Sequence, residues 1–235
     1  MALTAIVSCR SILPAQYEYD EEINLSLDGS ATMFVNGSVP ALVALRGIPL
    51  NPGQSAPLDR EAVRQFFTSS GVRVARIGTS RRSGRRFVHV RLEVSDVRTL
   101  HETRAFDWER IALARIGEQY VYTETVGAPG GTPPPNAGWS GKEMVAFRLH
   151  LPARIRYHNA PSRRVERGNI LEWEQPLSDR LKGEPVRIEA RMDHESILYS
   201  TLTLFGLMAL LVAMTFVVIV WWVVRKGRRE AGTVG

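Results

Sequence analysis

From Ile197 the chain reads ILYSTLTLFGLMALLVAMTFVVIVWWVV, a run to Val224 without one charged side chain. About 20 apolar residues in a helix cross the ~30 Å hydrocarbon layer of a bilayer, and this run is longer. A helix apolar on every side has no place on the surface of a small soluble domain. Tyr199 near one end and the Trp221-Trp222 pair near the other stand roughly 33 Å apart at ~1.5 Å per residue, the spacing of two interfacial aromatic belts. The run predicts one transmembrane helix over 197–224, and leaves residues 18–196 to form one water-soluble body.

The flanks give the helix a direction. Arg225, Lys226, Arg228 and Arg229 follow it at once, whereas the approach from the other side mixes Arg191 with Asp193, His194 and Glu195. Basic residues are retained on the cytoplasmic side, so residues 225–235 are expected to be a cytoplasmic tail and the body to lie outside, on a bacterial cytoplasmic (inner) membrane. With Glu230 counted against them, these four leave the tail at +3, half of the formal net charge of +6. What remains on the body is too weak a field to point to nucleic acid, and no nucleic-acid partner is expected.

A body made before its anchor needs an export signal of its own. Residues 1–9 hold a short apolar stretch, MALTAIVS, followed by Cys9, the single cysteine of the chain. The stretch lacks a basic n-region and is short for an apolar h-region. Ile6-Val7-Ser8-Cys9 is similar to a bacterial lipobox, in which the cysteine is acylated. Two readings stand: Cys9 is a lipidation site at the end of a signal whose start lies upstream of Met1, or it is a chance cysteine. With acylation, residues 10–17 become a tether and the body is held to the membrane at both ends.

Within the body, period-two alternation marks strands. Ile23, Leu25 and Leu27, then Asp28-Gly29, then 31–35 predict a hairpin. A helix is expected at 39–45, and a second at LDREAVRQFF, capped by Asp59, with Val63, Phe66 and Phe67 on one face. Two more hairpins follow, over 72–94 around SRRSGRR and over 108–126 around Gly117-Glu118, with a helix at 96–103 between them. The Pro/Gly-rich stretch 127–141 reads as a mobile loop with little to bury. Then come a long strand over 142–157, bent at Pro152, two strands at 169–174 and 186–192, and a short helix at 178–181 between the last two. The fold class is α+β, a mainly antiparallel β ectodomain with two or three short helices plus one C-terminal transmembrane helix.

Sites with chemistry are few. The five histidines show no metal-ligand spacing, one cysteine cannot build a thiolate cluster, and no metal or cofactor is expected. Ser140 in GWSG departs from the GxSxG nucleophile elbow, and neither GTSRRSG nor GAPGG has the context of a phosphate loop. Arg81, Arg82, Arg85 and Arg86 cluster at one hairpin tip. Beside a bilayer they are candidates for contact with anionic headgroups, worth about 1 kcal/mol each, against the plainer reading of a solvated turn. Gly206, Ala209 and Ala213 form a small-residue stripe on the helix, either a packing face for another membrane protein or a lipid-facing surface. Trp173 reads as a core tryptophan or as a ligand platform.

The EEINLSLDGSATMFVNGS hairpin, the LP…N…GNILEW segment before the helix, the lipobox cysteine and the basic tail together resemble bacterial envelope lipoproteins of the LppM type. That resemblance implies an envelope protein with a β-rich domain that meets lipid. The truncated signal, the Pro/Gly loop and the arginine tip depart from it, and the ligand does not carry over. The expected function is a membrane-anchored, non-enzymatic envelope protein that contacts lipid or another protein near the bilayer. An accessory single-helix subunit of a larger membrane complex is the alternative, and a hydrolase the third.

Overall fold

The computed structural model describes residues 17–53 and 55–231; Cys9 lies outside them. They fall into two units, which divide between His194 and Glu195. The first holds two sheets. One has six strands: β1 (Tyr17–Leu25), β2 (Ala31–Ser38), β3 (Val72–Arg82), β4 (Arg85–Val94), β7 (Met144–His150) and β9 (Ile170–Pro176), in the order β3-β4-β2-β1-β7-β9. The other has four: β5 (Glu109–Ile116), β6 (Gln119–Val126), β8 (Ala153–His158) and β10 (Val186–Ser196), in the order β5-β6-β10-β8. All three expected hairpins form, with Leu25 opposite Ala31, Arg82 opposite Arg85 and Ile116 opposite Gln119. The exception to antiparallel pairing in the larger sheet is β1 against β7, which run parallel with Glu21 opposite Phe147.

One apolar core receives side chains from both sheets, among them Tyr19, Ile23, Met33 and Val35 from the larger and Leu113, Tyr122 and Ile188 from the smaller. Alternation explains the larger sheet: from Tyr19 onward, past the register shift that leaves Glu18 buried, odd-numbered residues of β1 and β2 face the core. The even ones form a polar outer face. There Asn36 donates to Asp20 at 2.9 Å, His89 stands between Asn36 and Ser80, and Arg148 reaches both Asp20 (3.5 Å) and Glu172 (2.7 Å).

The expected strand over 142–157 is two strands in different sheets. The chain leaves the larger sheet after His150 and enters the smaller at Ala153. Pro152, which has no N–H to give a ladder, lies at the crossing. Helix α1 (Val39–Arg46) is apolar almost all round and buried. Ser38 caps its start through Ala41 N, and Gly47, at φ 66°, closes its end by donating to Val43 O at 3.0 Å. Helix α2 (Arg60–Phe67) has the expected Asp59 cap, at 2.9 Å from Ala62 N, and buries Val63, Phe66 and Phe67. The expected helix near 96–103 is a 3₁₀ turn, Val97–Glu102, and α3 (Leu177–Leu181) lies between β9 and β10.

The Pro/Gly stretch is bound to the body, against the expectation of a loop with little to hold it. Gly127 N donates to Trp108 O at 2.7 Å and Gly130 N to Leu45 O at 2.9 Å, while Gly138 O accepts from Arg85 at 2.6 Å. Gly131 passes so close to the end of α1 that a Cβ there would stand 1.9 Å from Val43 O.

The second unit is α4 (Ile197–Ala231), which contains Thr201–Trp222, 22 residues that are long and apolar enough to cross a membrane. No part of that span is buried.

The docked loop makes a prediction. Gly131→Ala costs about 2 kcal/mol or more by overpacking. Gly117→Ala, at φ +60° with nothing within 4 Å of the added Cβ, costs about 1 kcal/mol from backbone strain alone. Urea unfolding of the full chain in detergent compares them, and equal losses would contradict a docked loop.

Candidate functional site

Two features of the body are unlike ordinary core or surface. The first is a cluster of ionisable groups inside the core. Tyr19 and Glu21 come from the inward face of β1, Arg46 from the last position of α1, Glu109 from the start of β5, and Tyr122 and Glu124 from β6. All six are buried, with Arg46 at 5 %, Glu124 at 3 % and the rest at 1 % exposure or less. Arg46 is the hub. Its Nη2 donates to Glu21 and to Glu109, the latter at 3.1 Å, its Nε donates to the Tyr19 hydroxyl at 2.8 Å, and its Nη1 donates to the carbonyl of Ala105. The guanidinium also stacks on Phe106 at 4.5 Å and Trp108 at 4.9 Å.

Burial dominates the proton affinities of the cluster, because a charge loses its hydration there. It raises Glu21 despite the Arg46 charge. It raises Glu109 well above the carboxylate range, with the Glu21 charge adding to it, and pushes Glu124 up to about 8, again with Glu21 adding. Tyr19 and Tyr122 are held well above the usual phenol range, first by burial. Burial acts on Arg46 in the opposite sense, but Tyr19, Glu21 and Glu109 outweigh it and keep the guanidinium charged.

The sequence reading passed over these glutamates, although a signal was present. Glu21 is in phase with Ile23 and Leu25, Glu109 with Ile111 and Leu113, and Glu124 with Tyr122 and Val126, so each sits where its strand faces the core. A carboxylate on an apolar stripe is a buried carboxylate that needs a partner.

The second feature is the arginine hairpin, where the four expected surface cations divide. Arg81 and Arg82 are exposed. Arg82 lies over the Phe87 ring at 4.3 Å and donates to the carbonyl of Tyr17. Arg86 is half-buried and donates to the carbonyls of Asn51 (2.8 Å) and Gly53 (3.0 Å), tying the hairpin to the segment before α2. Burial, and then the charge of Arg81, lower its pKa. Arg85 corrects the expectation: it is 8 % exposed, paired with Glu18 at 2.8 Å and 3.9 Å from Glu143. Two buried carboxylates draw it inward, and it has no reach to a headgroup. Between the hairpin and the segment Ser55–Leu58 lies a cavity of about 390 Å³, in which Val39, Leu58, Phe87 and Val88 give an apolar lining and Arg81 and Arg86 give positive charge.

The remaining expected site residues stand as follows. Gly206, Ala209 and Ala213 are exposed along α4, with nothing within 4 Å of a Cβ built at Gly206. Arg225, Lys226, Arg228 and Arg229 continue the same helix, and Arg225 stacks on Trp221 at 4.9 Å. Trp173 is buried in the core with its Nε1 donating to Asn159 at 3.0 Å. His150 sits 3.1 Å from Glu22. Arg46→Met leaves two buried carboxylates without their cation, and costs about 3–5 kcal/mol. In a thermal melt that is a fall of roughly 10 °C, and an unchanged Tm would contradict the role of Arg46 as the hub.

No family model matches the chain, and no curated protein matches it. Among solved structures, it is similar to the NMR structure of the folded domain of LppM from Mycobacterium tuberculosis, with a TM-score of 0.43 and 11 % identity over 80 % of this chain and 96 % of that one.

Proposed function

We propose that the chain is a single-pass, non-enzymatic membrane protein of a bacterial envelope, whose body meets anionic headgroups through the β3–β4 hairpin while α4 anchors it. The observation that carries this reading is the pairing, at one hairpin, of exposed arginines with a cavity that has one apolar wall. An anionic amphiphile presents the complementary surface, a negative head beside an apolar stem. The anchor supplies proximity, since α4 begins at Ile197, directly after β10 ends at Ser196. Arg225 to Arg229 beyond the apolar span favour a cytoplasmic tail and an outer body.

The gain is modest and electrostatic. An arginine near an anionic surface is worth about 1 kcal/mol, and salt screens it over ~8–10 Å. Two exposed arginines bias the orientation of a body that is already anchored, a smaller task than capturing a free protein from solution.

The test uses the full chain in nanodiscs and reads amide hydrogen exchange over residues 80–87. Exchange is expected to slow about tenfold on anionic relative to neutral lipid, to recover in high salt, and to lose this lipid dependence in the Arg81→Ser/Arg82→Ser double variant. Arg85 is left unchanged because its loss would strand Glu18. Equal exchange on both lipids would contradict the reading.

A further inference from the structure

The carboxylates around Arg46 are only half satisfied. Glu21 Oε2 accepts from the Tyr19 hydroxyl at 2.5 Å and from Arg46, Glu109 Oε1 accepts from Arg46 and from Trp108 Nε1, and Glu124 Oε2 accepts from the Tyr122 hydroxyl at 2.6 Å. The second oxygen of each, Glu21 Oε1, Glu109 Oε2 and Glu124 Oε1, is buried and has no hydrogen-bond partner. Native cores seldom leave buried polar atoms bare, and three such atoms on neighbouring side chains call for an occupant.

Geometry, charge and donor chemistry identify it. One oxygen from each of the three glutamates lies within 4.8 Å of the others, a spread open to ligands that share a centre about 2.0–2.6 Å away. One oxygen fixed by a protein donor and the other left open is how an outer shell orients carboxylates around an ion. Three carboxylates against the Arg46 guanidinium leave an excess of two negative charges when all ionise. Arg180, buried over the same Trp108 ring at 5.5 Å, gives its hydrogen bonds to the carbonyls of Glu184 and Gly127 and leaves the open glutamate oxygens unpaired. We propose that Glu21, Glu109 and Glu124 form a buried site for one hard divalent cation.

Oxygen-only donors favour Mn²⁺, Ca²⁺ or Mg²⁺ over thiolate-seeking metals, and Mg²⁺ gives up its water reluctantly. Mn²⁺ is therefore the probe. The expectation of a metal-free chain, drawn from histidine spacing and a single cysteine, does not reach this site, because its donors are glutamates on three strands. The ligands come from β1 in the larger sheet and from β5 and β6 in the smaller. A bound ion is then a clamp between the sheets, entering as the core closes around it.

The full chain, purified in detergent in Mn²⁺-containing buffer and desalted, is assayed by elemental mass spectrometry and thermal melting. About one Mn²⁺ per chain is expected, with a Tm about 5 °C or more above that of chain prepared in EDTA. Both are lost in Glu124→Gln and kept in Arg81→Ser. Should Glu124→Gln fail to fold, infrared spectroscopy of the wild type decides. Loss of the protonated-carboxyl C=O band on Mn²⁺ loading supports the site. Less than about one-fifth of an ion per chain, no Tm response and a C=O band indifferent to Mn²⁺ would show that protons occupy the cluster, and would overturn the proposal.

Discussion

The body is organised around the Arg46 guanidinium. It lies at the end of a buried helix, touches a carboxylate on each of the two sheets, and is held between Phe106 and Trp108. A cation in such a place is stable only while its acceptors surround it, so β1, α1 and β5 have to arrive together for the core to close. Much of the surrounding structure serves that requirement. Gly47 ends α1 directly after Arg46, and a further 3₁₀ turn, Arg104–Phe106, supplies the Ala105 carbonyl to the same guanidinium. Gly131 lets the loop after β6 seal the end of the helix.

A second buried arginine braces the β3–β4 hairpin. Arg85 spans from the hairpin to Glu18 on β1 and to Gly138 O in the Pro/Gly loop. Removing this one cation from the surface leaves the hairpin tip less basic than its composition implies, and gives the tip a rigid base. Arg86 adds a strut to the Asn51 and Gly53 carbonyls. The exposed pair, Arg81 and Arg82, is thus presented by a braced hairpin, so the proposed contact with anionic headgroups would cost less ordering entropy.

Local patterns carried much of the fold. Alternation located the strands of the three hairpins, Asp59 marked the start of α2, and the charge-free run marked α4. What escaped was set by contacts distant in sequence. The parallel pairing of β1 with β7 and the switch of sheet at Pro152 follow from how the whole core closes, and no window of ten residues contains that information. Arg85 read as a surface cation because its partner Glu18 lies 67 positions away. The three glutamates were visible as charges in phase with apolar residues, yet their convergence on Arg46 needed β1, β5 and β6 in three dimensions.

The functional account rests on one claim, that α4 spans a membrane with the body outside and the basic tail inside. Single cysteines introduced in a Cys9→Ser background test it directly, at exposed Ser162 in the body and at Lys226 in the tail. Intact spheroplasts are treated with a membrane-impermeant thiol reagent. The account predicts labelling of Ser162→Cys at once and of Lys226→Cys only after lysis. Labelling of the body only after lysis would contradict it.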